Sequence, residues 1–176
     1  MRGLIEAIWP DNIESIIDLG CGDLWHTAGL PGVVKHIGVD LWKEQLRLAW
    51  ERRPVTGWIP VCKDALEFLK ISPDNSVDAV LAVDIIEHLE QERGLKILDD
   101  AERVAKKLVI CWAPLGMLER GPTNPDGTPN PYQVHKWGPQ PEDFQSRGWH
   151  VDLYPEQHQD GGAIFSYKFL GKRKYE

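Results

Sequence analysis

The sequence predicts an α/β protein: a doubly wound, mostly parallel seven-stranded sheet with an antiparallel C-terminal strand pair, in a single domain over residues 1–176. Two observations carry this prediction. Five short apolar runs alternate with helix-length amphipathic segments, which is the pattern of stacked strand–helix units. Two later runs alternate apolar and polar residues and follow one another closely, as the strands of an antiparallel pair do.

The order of the helices and strands follows from the spacing of apolar residues along the sequence. Residues 1–12 form an expected N-terminal helical segment, and residues 42–50 place apolar side chains on one helical face. A second apolar repeat at helical spacing covers residues 95–108, and the fourth strand is apolar apart from Asp78. The predicted strands are residues 15–19, 33–39, 58–62, 77–83, 108–113, 149–154 and 163–170, with a short helix at 142–147.

Composition and charge disfavour several classes of protein. The 176 residues carry 20 Lys and Arg against 27 Asp and Glu, a net charge of -7, so no nucleic-acid partner is expected. The longest uncharged apolar stretch, residues 108–118, is too short to cross a bilayer, so no membrane insertion is expected. Three Cys without paired spacing favour reduced thiols and a cytoplasmic location.

Acidic residues and glycines gather at the predicted strand ends. Each acid alone is commonly a turn or a helix cap, but ligands bind at this edge of a parallel sheet. Gly20 and Gly22 follow the first strand and permit a sharp turn and close approach of a ligand. An acid 20 residues after Gly20 is placed to accept hydrogen bonds from ribose hydroxyls. The strand-end acids are Asp18, Asp40, Asp64 and Asp84.

The glycine spacing helps to distinguish between two classes of cofactor that contain a nucleoside, those with a pyrophosphate and those without one. A dinucleotide fingerprint has a third glycine where this chain has Trp25, and Asp18 would repel a pyrophosphate. A cationic ligand would instead be attracted by Asp18, and S-adenosylmethionine carries a sulfonium and an ammonium but no phosphate. A nicotinamide-dependent reductase is therefore disfavoured, and S-adenosylmethionine is the predicted cofactor.

The strand-end motifs resemble those of the class I, Rossmann-like, S-adenosylmethionine-dependent methyltransferases. The resemblance covers residues 13–170 and points to the branch that includes the quinone-biosynthesis methyltransferases. The matching segments are Asp-Leu-Gly-Cys-Gly at 18–22, Gly-Val-Asp at 38–40, Lys-Asp-Ala at 63–65, and residues 77–89, which end in Glu-His-Leu.

The resemblance implies a cofactor site built from these segments. Asp40, with Leu41 beside it, would hold the ribose, and Asp64 and Ala65 would face the adenine. The chain departs from the family pattern at its usual third glycine, which is Leu24 here. This departure predicts a bulkier loop against the methionine end of the cofactor. The remaining cofactor-binding residues are Asp18, Gly20, Gly22 and Asp84.

Residues 114–140 form the predicted lid or acceptor loop. They contain six Pro and four Gly and no apolar period, which is unusual for a simple connection. Tyr132 and Trp137 would line the substrate, or would equally well anchor the loop to the sheet. His135 in this loop and His88 after the fourth strand are the candidate catalytic bases, although His88 at a helix start could also be structural.

The predicted function is methyl transfer from S-adenosylmethionine to a small-molecule acceptor, on an oxygen or nitrogen that the sequence does not distinguish. A small acceptor, or one carried on another molecule, is expected because no substrate domain is inserted between the motifs. No metal is expected, because the six His show no ligand spacing and no Cys-x-x-Cys occurs. The alternative function is a non-catalytic S-adenosylmethionine-binding protein that serves as a partner or regulatory subunit.

Overall fold

Seven strands form one sheet in the computed structural model, which describes residues 1–124, 127–157 and 161–171. The strands are β1 Ser15–Leu19, β2 Lys35–Asp40, β3 Trp58–Cys62, β4 Val77–Val83, β5 Ala105–Pro114, β6 His150–Tyr154 and β7 Ala163–Phe169. The helices are α1 Arg2–Ile8, α2 Lys43–Arg52, α3 Ala65–Ile71, α4 Gln91–Val104 and α5 Pro141–Gln145, with 3₁₀ turns at Ile86–His88 and Pro131–Gln133.

The strand order of the sheet is β3-β2-β1-β4-β5-β7-β6. Strands β1 to β5 are mutually parallel, whereas β7 runs antiparallel to both β5 and β6. The order reverses between β1 and β4, so the connections after these two strands leave in opposite directions and a crevice opens at their carboxyl ends. The predicted α/β fold class, with its antiparallel C-terminal pair, is confirmed.

Apolar side chains cover both faces of the sheet. On one face, Leu69 of α3 and Ile97 of α4 pack against the strands. On the other face, Ile5 of α1 belongs to a cluster that includes Phe165 of β7. Because both faces are covered, every residue of β4 is buried. Within the described ranges, no helix is both long enough and apolar enough to span a bilayer, and α4, at 14 residues, falls short.

Strand β5 begins earlier than its sequence predicts. The apolar spacing of a helix continues to Leu108, but α4 ends at Val104 and the backbone of Ala105 is extended, with φ -79° and ψ 145°. Ala105 lies opposite Val77, and Leu108 lies opposite Ala79. Because pairing with β4 supplies partners for these backbone groups, the sheet overrides the helical period over residues 105–108.

Asp78, the polar residue of the apolar strand β4, ties the start of β1 to the sheet. Its Oδ2 accepts hydrogen bonds from Glu14 N at 3.1 Å, Ser15 N at 3.0 Å and Ser15 Oγ at 2.8 Å. Its Oδ1 lies 2.9 Å from Lys107 Nζ. Burial raises the pKa of Asp78, but the hydrogen bonds from Lys107, Ser15 and the Glu14 backbone outweigh burial and lower it to about 2.

Replacing Asp78 with asparagine should lower the free energy of unfolding by about 2–3 kcal/mol, since hydrogen bonds to a charged group contribute about 1.5–3 kcal/mol. A depressed folded-state pKa stabilises the fold above pH 4 and loses that effect as the pH falls toward 2. Urea unfolding at several pH values measures both effects. The exposed residue Asp11 offers a control, Asp11→Asn, and equal stability of the two variants would contradict this role.

Candidate functional site

A cleft opens where the carboxyl ends of β1 and β4 lie side by side. It has a larger lobe of about 590 Å³ and an adjoining smaller lobe of about 330 Å³. Gly20, Gly22, Asp84 and His88 line both lobes, so the two form one continuous cleft. Of the other predicted cofactor-binding residues, the larger lobe contains Asp18, and the smaller lobe contains Asp40, Leu41, Asp64 and Ala65.

The Asp40 carboxylate, at the end of β2, is held by two backbone donors. Its Oδ2 accepts from Gly22 N at 3.0 Å, and its Oδ1 accepts from Trp42 N at 2.7 Å. Burial raises the pKa of Asp40 above its ordinary value, against the lowering effect of these two hydrogen bonds. Each carboxylate oxygen retains a further lone pair. The side chain is therefore fixed in position and still able to accept hydrogen bonds at the smaller lobe.

The backbone turns sharply after both central strands. Gly20 and Gly22 have φ of +61° and +52°, and Asp84 adopts the same left-handed region with φ of +49°. A Cβ on Gly20 would lie 2.9 Å from Ile85, so only glycine fits there. A Cβ on Gly22 would meet nothing within 4 Å. Gly22 therefore leaves open space in front of the backbone, which a ligand can approach.

Leu24, at the family's third glycine position, also has a left-handed backbone, with φ of +63°. Its side chain is fully buried in a cluster with Leu46 and Trp58, so its bulk points into the core and not into the cleft. Trp25 lines the larger lobe instead and is 68% exposed, with the Arg53 guanidinium 4.5 Å from its ring centroid. The bulky side chain at this edge of the cleft is therefore Trp25.

Asp18 is buried at the floor of the larger lobe. Its Oδ2 accepts a hydrogen bond from Thr27 Oγ1 at 2.5 Å and lies 3.3 Å from His36 Nε2. The sequence reasoning missed both partners. The signal for His36 was its position as a polar residue in the apolar run that forms β2, whereas nothing in the sequence marked Thr27.

Asp64 caps the N-terminus of α3 and forms an ion pair with another residue that lines the smaller lobe. Its Oδ1 caps the helix by accepting from Glu67 N at 3.1 Å, and its Oδ2 accepts from Arg93 Nη2 at 2.8 Å. Arg93, on α4, lines the same lobe and was not predicted. The Asp64 carboxylate thus has a structural role as a cap, and its predicted contact with adenine stays a prediction.

His88 and Glu87 lie in a 3₁₀ turn that precedes α4, and not in the first turn of the helix as expected. Burial, with the neighbouring His135 adding to it, lowers the pKa of His88 to about 4. Burial and the nearby Asp84 carboxylate raise the pKa of Glu87 well above its ordinary value. The centroids of the His88 and His135 rings are 4.8 Å apart, so the two candidate bases meet in the larger lobe.

The described part of the 114–140 loop packs back onto the cleft. The buried Asn130 accepts from Tyr132 N at 3.0 Å and donates to Asn124 Oδ1 at 2.9 Å, which organises the middle of the loop. Tyr132 lines the smaller lobe and is 48% exposed, so it lies near Asp40 and not in the larger lobe. His135 lines the larger lobe. The two loop residues therefore face different lobes.

Trp137 is a packing residue in this structure. It is 7% exposed, and a Cβ on Gly94 of α4 would lie only 2.5 Å from its ring. The N–H groups of Lys136 and Trp137 donate to the Glu87 carbonyl at 2.8 and 3.2 Å. Trp137 is buried against α4 and lines neither lobe of the cleft. Of its two predicted roles, its position therefore fits an anchor that holds the loop to the fold, and it does not fit a contact with substrate.

The structure also brings together three side chains of metal-ligating type. Glu87, His88 and His135 each offer one ligand atom, and these atoms lie within 4.8 Å of one another. The expectation of no metal rested on the spacing of the His residues along the sequence. That spacing gave no signal because the loop and the 3₁₀ turn, 47 residues apart, meet only in the folded chain.

The fold and site define a methyltransferase. The family model described as "Methyltransferase domain" matches residues 17–112, more than half of the chain, and the chain belongs to this family. The predicted class, an S-adenosylmethionine-dependent methyltransferase, is confirmed. The finer resemblance to the quinone-biosynthesis branch stays a prediction. No curated protein sequence matches significantly.

Solved structures share the fold over nearly the whole chain. A protein from Listeria monocytogenes, provisionally assigned as an S-adenosylmethionine-dependent methyltransferase, has a TM-score of 0.70 at 14% identity, covering 97% of each chain. The DhpI-SAH complex has a TM-score of 0.68 at 16% identity, covering 97% of this chain and 84% of that one. The DhpI-SAM-HEP complex has a TM-score of 0.67 at 16% identity, covering 94% and 83%.

Two substitutions at Leu24 test whether its backbone is strained. Leu24→Ala should destabilise the fold by about 2–5 kcal/mol through the cavity that it leaves. Leu24→Gly leaves a similar cavity but relieves the left-handed backbone, so it should be about 1 kcal/mol more stable than the alanine variant. Thermal and urea unfolding compare the two. A glycine variant no more stable than the alanine variant would show that the Leu24 backbone carries no strain.

Asp40→Ala should weaken S-adenosylmethionine binding at least tenfold, because charge-assisted hydrogen bonds contribute about 1.5–3 kcal/mol each and about 1.4 kcal/mol is a factor of ten. Wild-type affinity should also fall as the pH is lowered toward the raised pKa of Asp40, where the carboxylate loses its charge. The variant should lack that part of the pH dependence. Calorimetry measures both, with Asp11→Ala as control, and an unchanged Kd would remove Asp40 from the site.

Proposed function

We propose that this protein transfers the methyl group of S-adenosylmethionine to an oxygen or nitrogen of a small-molecule acceptor bound in the larger lobe. The observation that carries the proposal is the continuity of the cleft: Gly20, Gly22, Asp84 and His88 line both lobes. A donor whose adenosine lies in the smaller lobe and whose methionine end reaches the larger lobe would therefore meet the acceptor at the carboxyl ends of β1 and β4. Holding two reactants in line can remove about 7–11 kcal/mol of the barrier in favourable cases.

The residues of the cleft fit the cofactor. Asp40 has free acceptor capacity for ribose hydroxyls, and Gly22 leaves open space before its backbone. Leu41 and Ala65 line the smaller lobe, where they would flank the adenine. The buried Asp18 would attract the positive charge of the methionine end. When bound, S-adenosylmethionine supplies an electrophilic methyl group on a sulfonium.

His88 and His135, which line the larger lobe, are the residues placed to activate the acceptor. A base with a pKa near 4, such as His88, takes up protons poorly near neutral pH. His88 therefore positions its neighbour, and His135 is the residue that we assign to accept the proton of the acceptor. The larger lobe, at about 590 Å³, has the volume of pockets that bury small organic ligands.

The described part of the 114–140 loop would form the wall that separates the reaction from water. Backbone hydrogen bonds to Glu87 and the buried Trp137 fix its C-terminal part to α4 and the 3₁₀ turn. From this anchor, His135 reaches the larger lobe and Tyr132 reaches the smaller one. A loop in this place excludes water from both lobes at once, which strengthens electrostatic interactions within the cleft.

Variants of the two loop residues should have separable effects. His135→Asn should lower turnover by about 10²–10⁴-fold, the usual contribution of a general base, with little change in S-adenosylmethionine affinity. Tyr132→Ala should instead weaken S-adenosylmethionine binding, because Tyr132 faces the lobe of Asp40. A radiolabelled methyl donor, screened against pools of small hydroxyl and amine compounds, provides the turnover assay, and calorimetry provides the affinity.

The exposed His150 on β6 gives the matched control, His150→Asn, which should change neither quantity. Loss of donor affinity and turnover together in His135→Asn would contradict the assignment of the two lobes. A wild-type protein that binds S-adenosylmethionine but methylates no acceptor in any pool would favour the alternative, a non-catalytic S-adenosylmethionine-binding partner or regulatory protein.

A further inference from the structure

We propose that Glu87, His88 and His135 bind one divalent transition-metal ion at the acceptor end of the cleft. Their three ligand atoms lie within 4.8 Å of one another, and all three residues line the larger lobe. Metal binding is inferred from these three side chains and does not depend on the proposed function. Its consequence for the acceptor rests on the proposed function, and the two are tested separately below.

Glu87 provides the strongest evidence for a missing partner. The residue is 1% exposed, and its Oε2 has no hydrogen-bond partner among the described residues. A buried polar atom without a partner is costly and needs an explanation. The backbone carbonyl of Glu87 anchors the loop by accepting hydrogen bonds from Lys136 N and Trp137 N. These bonds account for the position of the Glu87 backbone, but they give no reason for a carboxylate to be buried there. A cation in the larger lobe would satisfy that oxygen.

His88 is oriented as metal-ligating imidazoles are. Its Nδ1 lies 3.4 Å from the Val134 carbonyl, which can only accept, so Nδ1 carries the proton. The other nitrogen, Nε2, then has a free lone pair and lies 3.9 Å from Glu87 Oε1. A hydrogen bond from one ring nitrogen to a backbone carbonyl is the arrangement that fixes the tautomer of a ligating His.

His135 completes the set from the loop. It is 8% exposed, and its ring stands at 70° to that of His88, with the centroids 4.8 Å apart. Rings in this edge-to-face arrangement can direct a nitrogen of each toward a common point. The hydrogen bonds from Lys136 and Trp137 to the Glu87 carbonyl keep His135 beside the other two ligands.

Two imidazoles and one carboxylate select the class of metal. This ligand set suits zinc, iron and similar first-row ions, whereas magnesium and calcium prefer oxygen ligands alone. Ligands about 2.0–2.1 Å from a tetrahedral zinc lie about 3.4 Å apart. The three ligand atoms lie within 4.8 Å of one another, so rotation of the side chains would have to bring the more distant pairs closer. Asp84 and Arg120, of opposite charge, line the same lobe.

Three protein ligands leave a coordination position open toward the larger lobe. A donor atom of the acceptor would fill it, which makes the acceptor a molecule with a metal-coordinating oxygen or nitrogen. With the metal bound, both imidazoles would coordinate it and His135 would no longer accept a proton. The metal would instead lower the pKa of the coordinated acceptor group, whose proton would be released to solvent as the acceptor binds. This consequence deepens the proposed function and depends on it.

The first test measures metal binding by the full chain without any turnover. Protein dialysed against a chelator and then freed of it is titrated with Zn²⁺ by calorimetry, and with Co²⁺ by visible absorption. The expected result is one equivalent of Zn²⁺ and a Co²⁺ spectrum typical of low coordination with imidazole ligands. Wild-type protein that binds no stoichiometric Zn²⁺ would overturn the proposal, whatever the variants do.

Substitutions at the proposed ligands test whether these residues form the metal site. Glu87→Gln keeps the shape of the buried side chain, and it should weaken Zn²⁺ binding at least tenfold, as should His135→Asn. His150→Asn removes an exposed His elsewhere on the sheet and should leave the Zn²⁺ affinity unchanged. Thermal unfolding of each metal-free variant shows whether it is folded. Folded Glu87→Gln protein with wild-type Zn²⁺ affinity would overturn the assignment.

Calorimetry with S-adenosylmethionine on the metal-free protein separates this inference from the proposed function. If Zn²⁺ fails to bind while S-adenosylmethionine binds and turnover proceeds, the metal site is refuted and the function stands. If Zn²⁺ binds at the three ligands but no acceptor is methylated, the site stands and the methyl-transfer proposal fails.

Discussion

The close parallel pairing of β1 with β4 is the constraint on which the rest of the molecule depends. Residue Leu19 lies opposite Ala82, so both strands end at the same level and their connections must turn away from each other. Gly20 meets Ile85 so closely that a Cβ would lie 2.9 Å from it. The two turns consequently pack together with left-handed backbones, and the space beyond them becomes the cleft.

Polar groups buried around this junction are arranged by their hydrogen bonds. Asp78 holds the entry of β1, Asp18 at its exit contacts Thr27 and His36, and Asp40 closes the glycine turn through Gly22 N. Each carboxylate would be costly to bury alone, and each is satisfied by donors from a neighbouring element. The same contacts that stabilise the sheet edge therefore fix the carboxylates of Asp18 and Asp40, which line the cleft.

Glu87 joins the loop to the site through two different groups. Its carbonyl accepts from Lys136 N and Trp137 N, while its carboxylate faces the larger lobe beside His88 and His135. Trp137 then fills the space over Gly94, which has no Cβ to obstruct the ring. The anchoring of the loop and the position of His135 in the larger lobe thus depend on the same contacts, and a change at Gly94 or Trp137 would reach the cleft through His135.

The sequence by itself determined the sheet, its two faces and the smaller lobe, because alternating apolar periods and strand-end residues such as Gly20 and Asp40 are local signals. Only the tertiary structure decided how the long loop completes the larger lobe. Trp137 and Tyr132 are both aromatic residues of the loop rich in Pro and Gly, yet Trp137 is buried and Tyr132 lines the smaller lobe with Asp40. Glu87 and His135 are far apart along the chain. Their contact forms only when the long loop packs against the 3₁₀ turn after β4, so no sequence periodicity could predict it.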